Sequence, residues 1–401
     1  MPVLSATLLL NTIAAFAVTS TVFSSICLFV KTRKRQRLPL FTSPITIYKP
    51  LKGLDEGLEE NLRSFFQLDY PTYQLIFGVN DRDDPAADVV RKLLAEFPKA
   101  DAKLVLGAPA FGLNPKVENL AALAPYRRHD VILISDSNVR VRPSYLRETA
   151  CYLADPKVGL VTNVFCGTGE TYLGATLENF QLNGFIAGNV ATAAALGITC
   201  VVGKSMMMPE KVLEQAGGFA SVRNLLAEDQ ALALKVRKAG YSIKLSHHVI
   251  ENVNRDRDLY WFLNRHSRWF KIRRRLALPF FLCEPLANLT VVGLVWALSD
   301  ETGIAWGGMG VLFGLAMLRD AFQAKWLRGT FPKLRHMPLS LVKDLFLLPV
   351  WIDALVDRRV KWRGHQFVIG RWTRLRREGV PRDVRKRVRR ARKTRDRHSR
   401  S

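Results

Sequence analysis

Between residues 43 and 270 the chain alternates short apolar runs typical of β-strands with amphipathic runs typical of helices. This alternation predicts a mainly parallel sheet covered by helices. Ligands of such sheets bind at the carboxyl ends of the strands, so we expect functional residues just after the strands. The predicted strands are 45–48, 74–79, 103–106 and 130–135, and the predicted helices lie near 56–67 and over 86–97.

Longer apolar runs outside this region are typical of membrane segments. Residues 1–30 contain no Asp, Glu, Lys or Arg, and a spanning helix needs roughly 20 apolar residues. The basic run 31–37 follows the apolar run, whereas a cleaved signal peptide has its charges before it. We therefore predict a retained anchor whose basic end is cytoplasmic. The runs 276–298 and 302–318 predict a transmembrane hairpin with both ends in the cytoplasm.

A fourth apolar run, 338–356, contains Lys343, Asp344 and Asp353. A full crossing here would place the basic residues that follow it outside, against the positive-inside rule. We therefore predict an interfacial or re-entrant segment. The chain as a whole is expected to be a multi-pass membrane protein with its soluble domain in the cytoplasm.

The chain is strongly basic: its 401 residues include 60 Lys+Arg and 35 Asp+Glu, a formal net charge of +25. Segment 371–401 alone holds 15 Lys+Arg and 3 Asp+Glu. Nucleic acid or an anionic membrane would each attract such a segment, and the apolar runs favour the membrane. We expect a disordered or surface-bound arm, in which each basic group near anionic lipids contributes about 1 kcal/mol.

Asp136-Ser-Asn138 directly follows the clearest predicted strand. A carboxylate with a second oxygen ligand two residues later suits Mg²⁺, which takes one or two carboxylates and leaves its other positions to phosphates and water. An Asp-Ser-Asn turn without a metal is the structural alternative. The five cysteines have no Cys-x-x-Cys spacing, which argues against a zinc site and a disulfide framework.

A second acidic loop, with Asp81 and Asp84, follows the strand 74–79. One of these acids is a candidate for binding a base or a ribose hydroxyl. Asp84 precedes Pro85, so it could instead cap the helix that begins there. The residues leave open which of the two acids has the binding role.

Two further candidates lie at predicted helix starts. Lys116 follows Gly112-Leu-Asn-Pro115, where an ammonium group and a helix amino end would both attract a diphosphate, although a solvated surface lysine is the alternative. Glu228 and Asp229 open a helix that Gly240 ends. Acids at a helix start are stabilised by its dipole, and Asp229 is also a candidate general base.

Residues 258–275 combine aromatic and basic side chains, among them Arg265, Arg268 and Trp269. This composition suits a helix that lies in the membrane interface. Aromatic residues between basic ones can also stack on RNA bases, but the adjoining apolar runs favour the membrane.

Motifs in the order and at the spacing of a known protein family occur along nearly the whole chain, up to Gly364. On them the chain resembles the ceramide glucosyltransferase family (glycosyltransferase family 21), in its bacterial-type form. Members are inverting nucleotide-sugar lipid glycosyltransferases. The motifs include Lys49-Pro-Leu-Lys-Gly53, Asp83-Asp-Pro-Ala86, Gly112-Leu-Asn-Pro-Lys116, Asp136-Ser-Asn138, Gly174-Ala-Thr-Leu-Glu178, Gln215-Ala-Gly-Gly218, Ala227-Glu-Asp229, Arg265-His-Ser-Arg268-Trp269 and Trp362-Arg-Gly364.

The resemblance implies an α/β fold: a Rossmann-like GT-A catalytic domain with a mainly parallel sheet, an N-terminal transmembrane anchor and C-terminal membrane helices. It implies UDP-glucose as donor and ceramide as lipid acceptor, with Asp229 deprotonating the ceramide hydroxyl. Asp136 would ligate Mg²⁺ or Mn²⁺ on the diphosphate. The other residues assigned to nucleotide-sugar binding are Asp81, Asp84, Lys116, Glu228, Arg265, Arg268 and Trp269.

Two features depart from the family pattern. Asn138 stands where a strict Asp-x-Asp motif has its second acid, and no His lies between Glu178 and Gly203. The family pattern also occurs in bacterial enzymes that glycosylate other lipids, so a hopanoid or diacylglycerol acceptor is an alternative. A polysaccharide synthase would need more membrane segments, and a non-enzymatic membrane scaffold would not need the acidic motifs.

These patterns divide the chain into seven segments. They are an anchor 1–30, a basic linker 31–42, a GT-A domain 43–255, an interfacial amphipathic helix 256–275, a transmembrane hairpin 276–318, an interfacial or re-entrant segment 319–370 and a basic tail 371–401.

Overall fold

The computed structural model describes residues 2–34, 39–299, 303–362 and 364–378. Its strands are β1 Ile45–Leu51, β2 Tyr73–Val79, β3 Ala102–Leu106, β4 Val131–Ser135, β5 Val139–Arg140, β6 Val158–Thr168, β7 Ser205–Pro209, β8 Ser242–Val253, β9 Arg359–Trp362, β10 His365–Ile369 and β11 Leu375–Arg377. Its α-helices are α1 Pro2–Thr32, α2 Leu58–Phe66, α3 Ala86–Glu96, α4 Pro115–Leu123, α5 Tyr145–Ala150, α6 Leu173–Gln181, α7 Ala187–Ala195, α8 Glu210–Gln215, α9 Glu228–Lys238, α10 Leu259–Leu276, α11 Leu278–Cys283, α12 Leu289–Ser299, α13 Gly303–Arg328 and α14 Leu339–Val356.

The main sheet has eight strands in the order β3-β2-β1-β4-β7-β6-β8-β5. β1 pairs in parallel with both β2 and β4, while β7 and β5 run antiparallel to their neighbours. The four strands and two helices predicted from the sequence are present, with ends that differ by at most three residues. The mainly parallel α/β sheet is therefore confirmed.

Helices cover both faces of this sheet, because successive side chains of a strand point to opposite faces. In β1, Ile47 packs with residues of α2 and α3, whereas Tyr48 packs with residues of α4 and α9. All residues of β1 and β4 are buried, as expected for strands covered on both sides. The carboxyl ends of β1, β2 and β4 thus share one open edge, where the acidic motifs lie.

Two helices of the described residues are long and apolar enough to cross a membrane by length and composition, Leu8–Thr32 within α1 and α13. Both expose large apolar side chains, such as Phe16 and Trp306. α13 continues ten residues beyond the predicted end at 318, because Arg319 and Asp320 pair with each other at 2.8 Å inside the protein.

The apolar run 276–298 of the predicted hairpin is not a single helix. Pro285 begins a short turn between α11 and α12, since proline has no N–H to continue a helix. α12 has 11 residues and, at about 1.5 Å per residue, falls well short of a hydrocarbon core of about 30 Å. The predicted hairpin therefore contains one helix of spanning length among the described residues.

The segment 338–356, predicted to be interfacial or re-entrant, contains helix α14. Two of its three charged residues are buried and paired: Lys343 lies 2.9 Å from Asp344 and 3.2 Å from Asp320. Asp353 is exposed and lies 3.0 Å from Lys271. Thr290 of α12 donates to Asp344 at 2.8 Å. These charges therefore join α14 to α12 and α13, and the depth of α14 in a membrane stays a prediction.

A second, antiparallel sheet of β9, β10 and β11 follows the helices. The prediction that the disordered tail begins at residue 371 is wrong, because Leu375 of β11 packs against Leu226 and Ile369. Residues 379–401 of that tail lie outside the described residues.

Candidate active site

Asp136 follows β4 at the open edge of the main sheet, and lysines from three other segments surround it. Its carboxylate lies 2.7 Å from Lys116 Nζ and 3.6 Å from Lys204 Nζ. Lys49 Nζ donates to the Asp136 carbonyl oxygen at 2.5 Å and lies 3.8 Å above the ring of Phe65. Burial holds the pKa of Lys49 well below its ordinary value. Lys49 therefore fixes the backbone at the end of β4.

Lys116 connects Asp136 to the start of α9. Asn114 caps α4 by accepting from the backbone N–H of Lys116, which places the lysine at the helix start as predicted. Its Nζ donates to the Gly203 carbonyl at 2.9 Å and lies 3.4 Å from Glu228. Burial lowers the pKa of Lys116, but the carboxylates of Asp136 and Glu228 outweigh that effect and raise the pKa above its ordinary value.

Asp229 is held beside this ion pair by two backbone donors. Its Oδ2 accepts from the N–H of Gly203 at 2.8 Å, and its Oδ1 accepts from the N–H of Gln230 at 2.7 Å. Burial and the neighbouring Glu228 carboxylate raise the pKa of Asp229 to about 6. A half-buried carboxylate with a pKa near neutrality is suited to general-base chemistry.

Sequence reasoning missed Gly203 and Lys204, which precede β7. Gly203 binds both Asp229 and Lys116, and a Cβ at this position would lie 2.9 Å from Asp229 Oδ2. Lys204 Nζ donates to Asn138 Oδ1 at 2.8 Å. Burial, with the positive charges of Arg265 and Lys116, lowers the pKa of Lys204 to about 8 against the effect of Asp136. The signal in the sequence is a Gly-Lys pair directly before an apolar strand.

The loop after β2 contains Asp81 and Asp84, and the structure gives these two acids different surroundings. Asp84 accepts from the N–H of Ala86 at 2.9 Å and from the N–H of Gly53 at 2.9 Å. It is therefore a structural residue at the start of α3. Asp81 is exposed and accepts from the N–H of Asp83 at 3.2 Å.

Arg265 lies on α10 between two tryptophan rings. Its guanidinium carbon is 5.1 Å from the ring centre of Trp261 and 4.6 Å from that of Trp269. Its Nε is 3.1 Å from Glu178, which is fully buried and also lies 2.8 Å from His266. Glu178 belongs to a motif that carried the family resemblance, yet sequence reasoning gave it no role.

Arg268 lines a cavity of about 290 Å³ between α10 and the second sheet, together with Lys271, Lys361 and Glu378. The structure thus joins Lys116, Asp136 and Glu228 by direct ion pairs, and Gly203 links Lys116 to Asp229. Arg265 contributes its charge beside Lys204, while Arg268 faces the second sheet.

The second sheet holds the loop that precedes Glu228. The N–H of Leu226 donates to the carbonyl of Thr373 at 3.0 Å, and the N–H of Ala227 donates to the hydroxyl of Thr373 at 3.3 Å. Trp372 and Thr373 have φ of 55° and 56°, a left-handed backbone that costs roughly 1–2 kcal/mol per residue. This strained turn places the two acceptor oxygen atoms under the start of α9.

The residues near Asp136 suit a divalent cation only if the ligand supplies most of the coordination. No group of three or more His, Cys, Asp or Glu side chains suited to a metal occurs among the described residues. Asp136 offers a carboxylate, and Asn138 an amide oxygen two residues later. Such a set fits Mg²⁺ when it also binds phosphate oxygens and water.

The chain has a GT-A-type α/β fold, as a glycosyltransferase of known structure does. The mannosyltransferase PcManGT from Pyrobaculum calidifontis, solved in complex with GDP-Man and Mn²⁺, superposes with a TM-score of 0.51 at 16% identity. The similarity covers 86% of this chain and 99% of that one, and at this identity it supports the fold alone.

The model of glycosyl transferase family 21 matches residues 12–375, and the chain belongs to this family. Ceramide glucosyltransferase 3 of Caenorhabditis elegans is 30% identical over 338 residues, which cover 80% of this chain and 72% of that protein. Ceramide glucosyltransferase 1 of the same organism is 26% identical over 83% of this chain and 73% of its own length. The family predicted from the motifs is confirmed.

Proposed function

We propose that this protein transfers glucose from UDP-glucose to the primary hydroxyl of ceramide and releases UDP and glucosylceramide. The names of the similar proteins support this acceptor and this sugar. The observation that carries the proposal is the half-buried Asp229 beside the Lys116–Asp136 ion pair, at the carboxyl edge of the sheet.

Asp229 acts as the general base. The hydroxyl oxygen of ceramide attacks C1 of glucose, its proton passes to the Asp229 carboxylate, and the bond from C1 to the diphosphate oxygen breaks. A single displacement of this kind inverts C1 and gives a β-glucoside. The two backbone N–H groups on Asp229 keep its carboxylate oriented during proton transfer.

The leaving UDP gains negative charge, so fixed cations stabilise the transition state more than the ground state. We assign this role to Arg265, which Glu178 and two tryptophan rings orient, with Arg268 and Trp269 bounding the acceptor side. Lys116 pairs with Asp136 and Glu228 and so holds these two acids beside the donor site. Asp81 contacts the nucleoside in this proposal, because Asp84 is already bound to Gly53 and Ala86.

We propose that Asp136 would hold Mg²⁺ or Mn²⁺ with the donor diphosphate, since the amide oxygen of Asn138 already accepts from Lys204. The cation would supply charge neutralisation on the diphosphate oxygens. The neighbouring lysines, not a second carboxylate, hold Asp136 in position for this role.

The acceptor is a lipid, so the site must open towards a bilayer. α1 and α13 would anchor the catalytic domain at the cytoplasmic face, with α10 in the interface and the tail on anionic lipids. The arrangement supports a membrane location and leaves nucleic acid without a role.

A transfer assay with purified protein in lipid tests the proposal. It would cross UDP-glucose, UDP-galactose and UDP-N-acetylglucosamine with ceramide, diacylglycerol and a hopanoid alcohol, with Mg²⁺ or with chelator. We expect glucosylceramide as the main product and a lower rate with chelator. A different glycolipid would overturn the acceptor, and no lipid product with any pair would overturn the function.

A further inference from the structure

Lys116, the lysine that the sequence pattern assigned to the diphosphate, is fully occupied by protein acceptors. An ammonium group has three N–H donors. Acceptors of this chain lie within reach of all three: Asp136 at 2.7 Å, the Gly203 carbonyl at 2.9 Å and Glu228 at 3.4 Å. A diphosphate could bind Lys116 only by replacing one of these partners.

Lys204 lies on the other side of the Asp136 carboxylate and has fewer hydrogen-bond acceptors than Lys116. Among the described residues its only hydrogen-bond acceptor is Asn138 Oδ1 at 2.8 Å, and Asp136 Oδ2 is 3.6 Å away. Lys204 is 6% exposed. A buried ammonium group with unused donors is costly unless an anion completes its coordination.

The charge around Lys204 also favours an anion. Its hydrogen-bond partner, Asn138, is neutral, and Asp136 is shared with Lys116. Arg265 adds a further positive charge near Lys204, although Glu178 is bound to it. Asp55 also acts on Lys204, but its carboxylate is bound to Ser137 and lies 3.6 Å from Arg257. The acid paired with Lys204 is therefore the shared Asp136.

We propose that Lys204 is the lysine that binds the diphosphate of the nucleotide sugar, while Lys116 holds Asp136 and Glu228 in place. This inference rests on the proposed UDP-glucose donor and assigns a new binding residue within it. Because Lys204 is a fixed cation at the position that faces Asn138, it also reduces the dependence of UDP binding on a divalent cation.

Calorimetric titration of the full chain in detergent with UDP and with uridine tests this assignment, in Mg²⁺ and in EDTA. Lys204→Gln retains a donor for Asn138 and removes the charge, and Lys204→Arg retains the charge. We expect Lys204→Gln to weaken UDP binding about 10- to 100-fold in EDTA and less in Mg²⁺, with uridine binding nearly unchanged. Lys204→Arg should remain closer to the wild type.

Equal UDP affinity of Lys204→Gln and the wild type in EDTA would overturn the inference, as would an equal loss of uridine affinity. Lys204→Met replaces Lys204→Gln if the latter does not fold, as judged by circular dichroism. A wild type that binds no UDP in either buffer would instead overturn the proposed donor, so the two failures are distinguishable.

Discussion

Asp229 combines a fixed orientation with a pKa near neutrality, and both come from its position rather than its residue type. We predict that Asp229→Asn lowers kcat by about 10²- to 10⁴-fold, the usual contribution of a general base. Asparagine has the same shape and retains an oxygen for the Gly203 N–H, although its NH₂ group would face the Gln230 N–H. UDP affinity should therefore change little, and thermal stability should fall slightly. Single-turnover transfer and UDP titration measure both effects, and wild-type turnover in this variant would disprove the base assignment.

The fall in rate at low pH should also depend on Asp229. Burial and Glu228 raise the pKa of Asp229 to about 6, and the base must be ionised to accept a proton. We therefore expect kcat/KM to fall as the pH drops through about 6. Glu228→Gln removes a neighbouring negative charge, so it should move this fall to lower pH. A fall at the same pH in a folded Glu228→Gln variant would show that another group sets it.

Among the elements, the second sheet is predicted to hold the start of α9, the helix that carries Asp229. Deleting 379–401 removes basic residues that all lie outside the described part of the chain. We therefore expect weaker, salt-sensitive binding to anionic vesicles, with turnover retained. Deleting 371–401 also removes the Thr373 contacts to Leu226 and Ala227, so turnover should fall as well. Vesicle sedimentation compares the membrane binding of the two deletion variants, and transfer assays compare their turnover. Equal turnover of the two deletions would exclude a supporting role for the turn at Thr373.

The buried charges between α13 and α14 form a second structural element to test. Asp320 accepts from Ser340 at 2.6 Å and pairs with Arg319 and Lys343. Asp320→Ala leaves buried positive charges uncompensated, so we expect a loss of about 3–5 kcal/mol. Asp88→Ala, at an exposed pair with Arg91, is the control and should cost less than about 1 kcal/mol. Chemical denaturation in detergent measures both, and similar values would contradict the structural role.

The elements show what the sequence could predict and what it could not. The strands and helices of the sheet were predictable, because their hydrophobic periodicity is local. The role of Lys204 was not predictable, since Lys204 and Asn138 are 66 positions apart in the sequence and meet only in the folded chain. The strand at Leu375 was hidden by the basic residues around it, although that leucine itself is buried. The break at Pro285 was visible in the sequence but was outweighed by the long apolar run.

At the scale of the whole molecule, a soluble α/β domain and apolar helices share one chain. α1 and α13 lie at opposite ends of the sequence, yet Ser25 and Gln323 are close enough for a hydrogen bond. The N-terminal and C-terminal apolar helices therefore pack together. This arrangement would place a glycosyltransferase site next to the bilayer that contains a lipid acceptor.

The central claim is a single displacement at C1 with Asp229 as base, and the configuration of the product tests it most directly. Purified wild-type protein would be incubated with UDP-glucose and ceramide, and the anomeric proton of the isolated glycolipid would be assigned by nuclear magnetic resonance. We expect a β-linked glucoside, which Asp229→Asn forms at least about 100-fold more slowly. An α-linked glucoside would contradict the single displacement.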